Sequence, residues 1–167
     1  LDATGTANWD YGTMPSWVTN TIYVVKSKAT DNSNNIETPL SGSTWTYDNV
    51  TPSSNTIHPT NNAKLNSLSI ISGTSGDVTT LVTNVQISLQ NTSNNNYWTG
   101  SGWTASENFV DATGTSSWSY TNIPALLTGR TYIVKSKATD EATNVETPSV
   151  GISFTYDSTL PTSVIVG

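Results

Sequence analysis

Two short segments carry the residue types best suited to holding an ion. Asp31, Asn35 and Glu37 recur as Asp140, Asn144 and Glu146, both sets spaced D-x-x-x-N-x-E. Carboxylate and amide oxygens are hard ligands of the kind calcium takes, about six to eight at a time. Asp77 stands in a separate turn and would join either set if the fold brings that turn to the same end. Backbone carbonyls and water would have to complete the shell, since no D-x-[DN]-x-[DN]-G loop of the EF-hand type is present. The competing reading is that Asp and Asn cap turns through hydrogen bonds to their own backbone. Asp48 and Asp157, each after a Thr-Tyr pair, would stiffen a junction if they held an ion and stay solvated if they did not.

Other chemistry is thinner. Tyr97, Trp98 and Trp103 flank the turn Thr99-Gly100-Ser101-Gly102 and would stack on sugars if exposed. Hairpin aromatics also serve as cross-strand pairs or core. His58 is the single histidine, and no serine sits in a G-x-S-x-G elbow, so a nucleophilic triad is not indicated. Glu107 and Asp111 are a conceivable glycosidase pair, but such a pair must face across a substrate groove. Asn49-Val50-Thr51 and Asn91-Thr92-Ser93 match the glycosylation acceptor pattern. The chain is therefore read as a non-enzyme.

The elements that must position these residues come twice. Asp2-Ala3-Thr4-Gly5-Thr6 returns as Asp111-Ala112-Thr113-Gly114-Thr115, and Lys26-Ser27-Lys28-Ala29-Thr30-Asp31 as Lys135-Ser136-Lys137-Ala138-Thr139-Asp140. The offset is 109 positions from Leu1/Val110 to His58/Gly167, without a gap, and 27 of those 58 pairs are identical. Chance does not supply that, and a repeat of this length is a whole domain rather than a solenoid turn. The phase divides the chain into residues 1–50, the C-terminal half of one module; 51–158, a complete module; and 159–167, the first strand of a following one. Pro52 and Pro161 sit in short junctions and restrict the residue before them, so the linkers should be stiff.

Period-two alternation runs through the complete module. Val85, Ile87 and Leu89 alternate with Gln86, Ser88 and Gln90; Tyr132, Val134, Ser136 and Ala138 alternate with Ile133, Lys135 and Lys137. Such patterns describe strands with one buried and one wet face. Strands are expected at 56–58, 68–74, 84–90, 109–112, 116–120, 132–138 and 152–156, with a hairpin across 97–104. The fold class is all-β, antiparallel Ig-like β-sandwich modules in tandem, with closure into a barrel as the competing architecture. Trp118, Tyr132, Phe154 and Tyr156 are the expected core. Lys26, Lys28, Lys135 and Lys137 are read as edge protection against unwanted strand pairing.

The composition sets limits. Net charge is −6, with six Lys and Arg against twelve Asp and Glu. That argues against nucleic acid and anionic membrane as partners. No apolar run approaches the roughly 18 residues of a membrane span. Cysteine is absent, so disulfides and thiolate metal sites are excluded. Six Trp and seven Tyr supply core in a chain that is otherwise Ser, Thr and Asn.

Ile71-Ser72-Gly73-Thr74 with Gly76-Asp77, Tyr97-Trp98-Thr99-Gly100-Ser101-Gly102-Trp103, Lys135 through Asp140 with Asn144-Val145-Glu146, and Phe154-Thr155-Tyr156-Asp157 together resemble the tandem bacterial Ig-like (Big-type) repeats of large extracellular surface proteins and adhesins. The resemblance covers the complete module and the half before it. It implies an extracellular or cell-surface location, tandem arrays, and in some members calcium at loops and junctions. The leading expectation is a structural spacer or filament segment. Its partners would be neighbouring repeats of the same chain and other copies of itself. The alternatives are an adhesin module binding glycan or protein through its loops, and an accessory module of a secreted polysaccharide-degrading enzyme. Residues 1–50 lack the strands matching 56–58, 68–74 and 84–90; these are expected upstream in a longer chain rather than from a neighbouring chain by strand addition.

Overall fold

The structure, a computed structural model, describes residues 1–165 and contains strands and turns with no helix among them. It divides into two compact units, Leu1–Asn49 and Val50–Gly167.

The second unit is a β-sandwich. Its strands are β5 (Ser53–His58), β6 (Ala63–Leu65), β7 (Ile71–Gly76), β8 (Val82–Asn91), β9 (Asn96–Trp98), β10 (Trp103–Thr104), β11 (Val110–Asp111), β12 (Ser117–Tyr120), β13 (Arg130–Asp140) and β14 (Ile152–Tyr156). One sheet has the order β10-β9-β8-β13-β14-β6, with β11 also on β8; the other is β12-β7-β5. Long alternating runs at β8 and β13 explain why these two form the spine, paired antiparallel with Ser136 opposite Ile87. Between the sheets lie Val85, Ile87, Leu89, Tyr132, Val134, Ala138 and Phe154 from the larger and Ile71, Trp118 and Tyr120 from the smaller. The Tyr132 and Phe154 rings stack 5.4 Å apart. Trp118 lies across Gly73, where an added Cβ would meet its ring at 2.4 Å and the Asn55 carbonyl at 1.9 Å; a glycine is what lets β5, β7 and the indole close up.

Several expectations are corrected. β6 has no counterpart among the expected strands, because three residues are too few for a period to register; it joins β14 in parallel, so the larger sheet is mixed. Tyr156 is half-buried against the core rather than inside it. β13 is not an edge strand, since β8 and β14 flank it; Lys135 and Lys137 stand on its wet face. Lys135 pairs with Glu107 at 2.9 Å, and Lys137 sits 4.3 Å above the Phe109 ring. Thr159–Ile165, within the stretch read as the first strand of a following module, are exposed and carry no strand; residues 166 and 167 lie outside the described residues.

The first unit has β1 (Thr4–Gly5) paired with β2 (Trp9–Asp10) and β3 (Thr21–Val25) paired with β4 (Ser43–Tyr47). The β3–β4 register, Thr21 opposite Tyr47, is that of β13–β14, Arg130 opposite Tyr156. Left-handed turn residues also match: Gly5 with Gly114, Asn20 with Gly129, Asn34 with Thr143, Gly42 with Gly151. Identical turn positions at a constant offset fix the same hairpins twice.

Candidate cation site and its surroundings

The β13–β14 connection starts at Asp140, which is buried. Its Oδ1 accepts the Asn144 backbone N–H at 2.8 Å and its Oδ2 the Asn144 side-chain amide at 2.9 Å. Thr143, at φ 68°, lets the loop turn tightly between them. The β7–β8 loop is pinned against this turn: Glu141 N–H donates to the Leu81 carbonyl at 2.9 Å. The Thr83 hydroxyl donates to the carbonyls of Thr139 and Asp140 at 3.2 and 3.1 Å.

That loop carries Asp77. Its Oδ1 accepts the N–H groups of Thr79 and Thr80 at 2.7 and 3.0 Å. Its Oδ2 is buried with no hydrogen-bond partner among the described residues. Asp77 and Asp140 present carboxylate oxygens within 4.8 Å of one another. An acceptor buried without a donor costs about 1–3 kcal/mol or more when charged, and two like charges this close repel. A hard divalent cation between them would offset both costs. The donor chemistry fits calcium, with Asp77 Oδ2 and the Asp140 carboxylate as protein ligands.

The D-x-x-x-N-x-E set does not converge on one point. Asn144 folds onto Asp140, while Glu146 reaches back along β13 to Ala138 and across to Ser54 of β5. Glu146 Oε2 accepts Ala138 N–H at 2.9 Å and the Ser54 hydroxyl at 2.5 Å, and Oε1 accepts Ser54 N–H at 2.9 Å. With its one hydrogen on Glu146, the Ser54 hydroxyl accepts from the Ser136 hydroxyl at 2.8 Å, so this carboxylate fastens β5 to β13. Sequence reasoning missed Ser54 and Ser136. The signal lay in Ser27 and Ser136 recurring inside otherwise alternating strands, and in Pro52-Ser53-Ser54 returning as Pro161-Thr162-Ser163.

The first copy repeats the division. Asp31 accepts from Asn35 N–H at 2.9 Å, Asn35 Nδ2 at 2.8 Å and Ser33 N–H at 2.8 Å. The Asn35 side-chain amide, then its backbone N–H, holds the Asp31 carboxyl below its ordinary range. Glu37 Oε2 accepts Ala29 N–H at 3.0 Å. Asp48 accepts the Thr19 hydroxyl at 3.4 Å. Asp157 accepts Thr159 N–H and the Thr128 hydroxyl, both at 2.9 Å, and the Thr159 N–H first, then Thr128, lowers its pKa. Asp48 directly follows β4 and Asp157 directly follows β14.

Among the aromatics, Trp98 takes the core alternative. It is buried, and its Nε1 donates to the Tyr120 hydroxyl at 2.9 Å and the Asn122 carbonyl at 3.1 Å. Tyr97 is half-buried on β9. Trp103 alone of the three is exposed, at 36%. It borders a depression of about 200 Å³ with Asn91, Asn94, Asn96 and Leu127, floored by Tyr132. Asp111 is taken up by Gln86 and Asn84, at 2.9 and 3.2 Å. His58 is exposed at the end of β5.

The sequence matches no protein-family model and no curated protein. Among solved structures, the fibronectin(III)-like modules of Clostridium thermocellum CbhA are similar at 14% identity, over 88% of this chain and 68% of that chain, with a TM-score of 0.45. Among the described residues no helix is long and apolar enough to cross a membrane.

Proposed function

We propose that this chain is a structural spacer segment of a secreted or cell-surface protein, built from Ig-like sandwich modules at a 109-residue repeat. The observation that carries this is the recurrence of the same caps and turns in residues 1–49 and 110–158. Val18 N–H to the Tyr23 hydroxyl and Leu127 N–H to the Tyr132 hydroxyl are both 2.9 Å. Thr30 bridges Ile36 as Thr139 bridges Val145. A spacer needs cores that fold independently and short joints, and no reacting group. Calcium at Asp77 and Asp140 would tie the β7–β8 loop to the β13–β14 turn and stiffen that end of the module. Residues 50–158 produced alone should unfold in one cooperative transition whose midpoint rises with calcium and falls back with chelator. A non-cooperative transition would sink the spacer reading; a midpoint indifferent to calcium would sink the metal.

A second reading has one observation in its favour. The exposed edge of Trp103 beside Asn91, Asn94 and Asn96 pairs a stacking ring with amides, as sugar recognition requires. An adhesin module would then show Trp103→Ala abolishing retention on a glycan array that the parent chain binds.

A further inference from the structure

The two copies of the repeat have opposite fates at their apolar faces. Val25, Trp45 and Trp9 are 44%, 36% and 50% exposed. Their counterparts Val134, Phe154 and Trp118 are 0%, 1% and 2% exposed. Backbone registers and turn conformations are the same, so the difference is not one of local folding. In the second unit the face is covered by β5 and β7 of the opposite sheet, which bring Ile71 onto it, while β8 extends the β13–β14 sheet beside it with Val85, Ile87 and Leu89. In the first unit Trp17, Tyr23 and Trp45 gather on the sheet, with ring centroids 4.7 to 6.0 Å apart.

We infer that the β3–β4 face of the first unit is a docking surface for a half-module of the kind formed by residues 50–109, presented in the same 109-residue register. The polar fastening is also in place. Glu37 already holds Ala29 N–H as Glu146 holds Ala138 N–H, and Ser27 stands where Ser136 does. The occupant supplies what Ser54 supplies in the second unit, an N–H and a hydroxyl on its first strand. A second copy of this chain is a poor source. Its own 50–109 segment is committed, with Ile71, Val85, Ile87 and Leu89 at 0% exposure, and giving it up would open another core. The inference rests on the modular reading above but needs no metal.

The test compares the full chain with the same chain extended by a copy of residues 50–109 joined ahead of Leu1. Amide hydrogen exchange is followed at Thr21–Val25 and Ser43–Tyr47, with Arg130–Asp140 as internal reference. The extension is expected to slow exchange in β3 and β4 about a thousandfold, as incorporation into a cooperative core does. A second extension, with its added copies of Ile87 and Leu89 replaced by Asp, is expected to leave the rates of the unextended chain. Unchanged rates with the first extension, or equal slowing with the second, overturn the inference. So does concentration-dependent protection in an unextended chain that sediments as a dimer, because a second copy then occupies the face. In every case Arg130–Asp140 remaining protected leaves the spacer reading standing, and its loss of protection is what would bring both down.

Discussion

Residues 1–49 and 110–158 are the same hairpins with the same caps, yet only the second set has a core. The difference teaches which interactions belong to the hairpin and which to the sandwich. Turn glycines, the tyrosine hydroxyl taking Val18 or Leu127 N–H, and the Asp–Asn cap are present in both. Burial of Val134, Phe154 and Trp118 belongs to the second alone. Local hydrogen bonds therefore shape the hairpin, and the hydrophobic term arrives only with a second layer.

The sharpest way to break this comparison is to cut the same side chain in both copies. Phe154→Ala should cost about 3–5 kcal/mol, the usual range for a buried aromatic, read as a shift of the denaturant midpoint of the second unit. Trp45→Ala, at the matching position, should cost below about 1 kcal/mol. Equal losses would mean that the face of β3–β4 is already covered in solution. The next effect is polar. Glu146→Ala strands Ser54 N–H and Ala138 N–H and should cost about 2–3 kcal/mol in the same assay. Glu37→Ala removes a single exposed acceptor and should cost under about 1 kcal/mol.

Most of this was legible because alternation is written residue by residue. Val85, Ile87 and Leu89 announce the buried face of β8, and the doubled Tyr132-to-Asp140 segment announces β13. What was not legible depends on tertiary partners. Lys135 and Lys137 have the same outward phase on an edge strand or a central one, so sequence alone misplaced β13. Trp98 and Trp103 flank one turn, and nothing local says that Trp98 goes inward to Tyr120 while Trp103 stays out. The D-x-x-x-N-x-E spacing reads as one ligand set, yet Asp140 is taken by Asn144 within its own turn while Glu146 is taken by Ala138 and by Ser54 of a distant strand. Asp77 was singled out for its residue type; its proximity to Asp140 came from how the β7–β8 loop is pinned by Leu81 and Thr83.

That loop separates the two copies further, since β7 and β8 belong to the second unit alone. With calcium at about ten times its dissociation constant, the second unit should gain about 1.4 kcal/mol. By calorimetry that is a rise of several degrees in its midpoint. Asp77→Asn keeps the shape, lowers the ligand charge and should abolish the rise. The Asp31 hairpin has no such loop, and Asp31→Asn should leave the calcium response of the chain unchanged. A rise that survives Asp77→Asn would move the ion elsewhere.

The smallest effect tests whether the Asp31 cap is local. Its carboxyl is held below the usual range chiefly by the Asn35 side-chain amide, then by the Asn35 N–H. Asp111, in the second unit, is held low first by the Gln86 amide, then by Asn84 and by the charge of Lys137. For each, the folded pKa lies below the unfolded value near about 3.9. The stabilisation is therefore present above that value and is lost as pH falls through the folded pKa. Carboxyl carbon titration by NMR should place both groups below ordinary aspartates. Asn35→Ala should raise Asp31 toward the ordinary value and leave Asp111 where it was. Raising the salt should lift Asp111 slightly by screening Lys137 and leave Asp31 still, because no charge appears among the causes of its shift. If Asp31 moved with salt as Asp111 does, its cap would depend on charges beyond its own loop, and the hairpin would not be the self-contained unit the repeat implies.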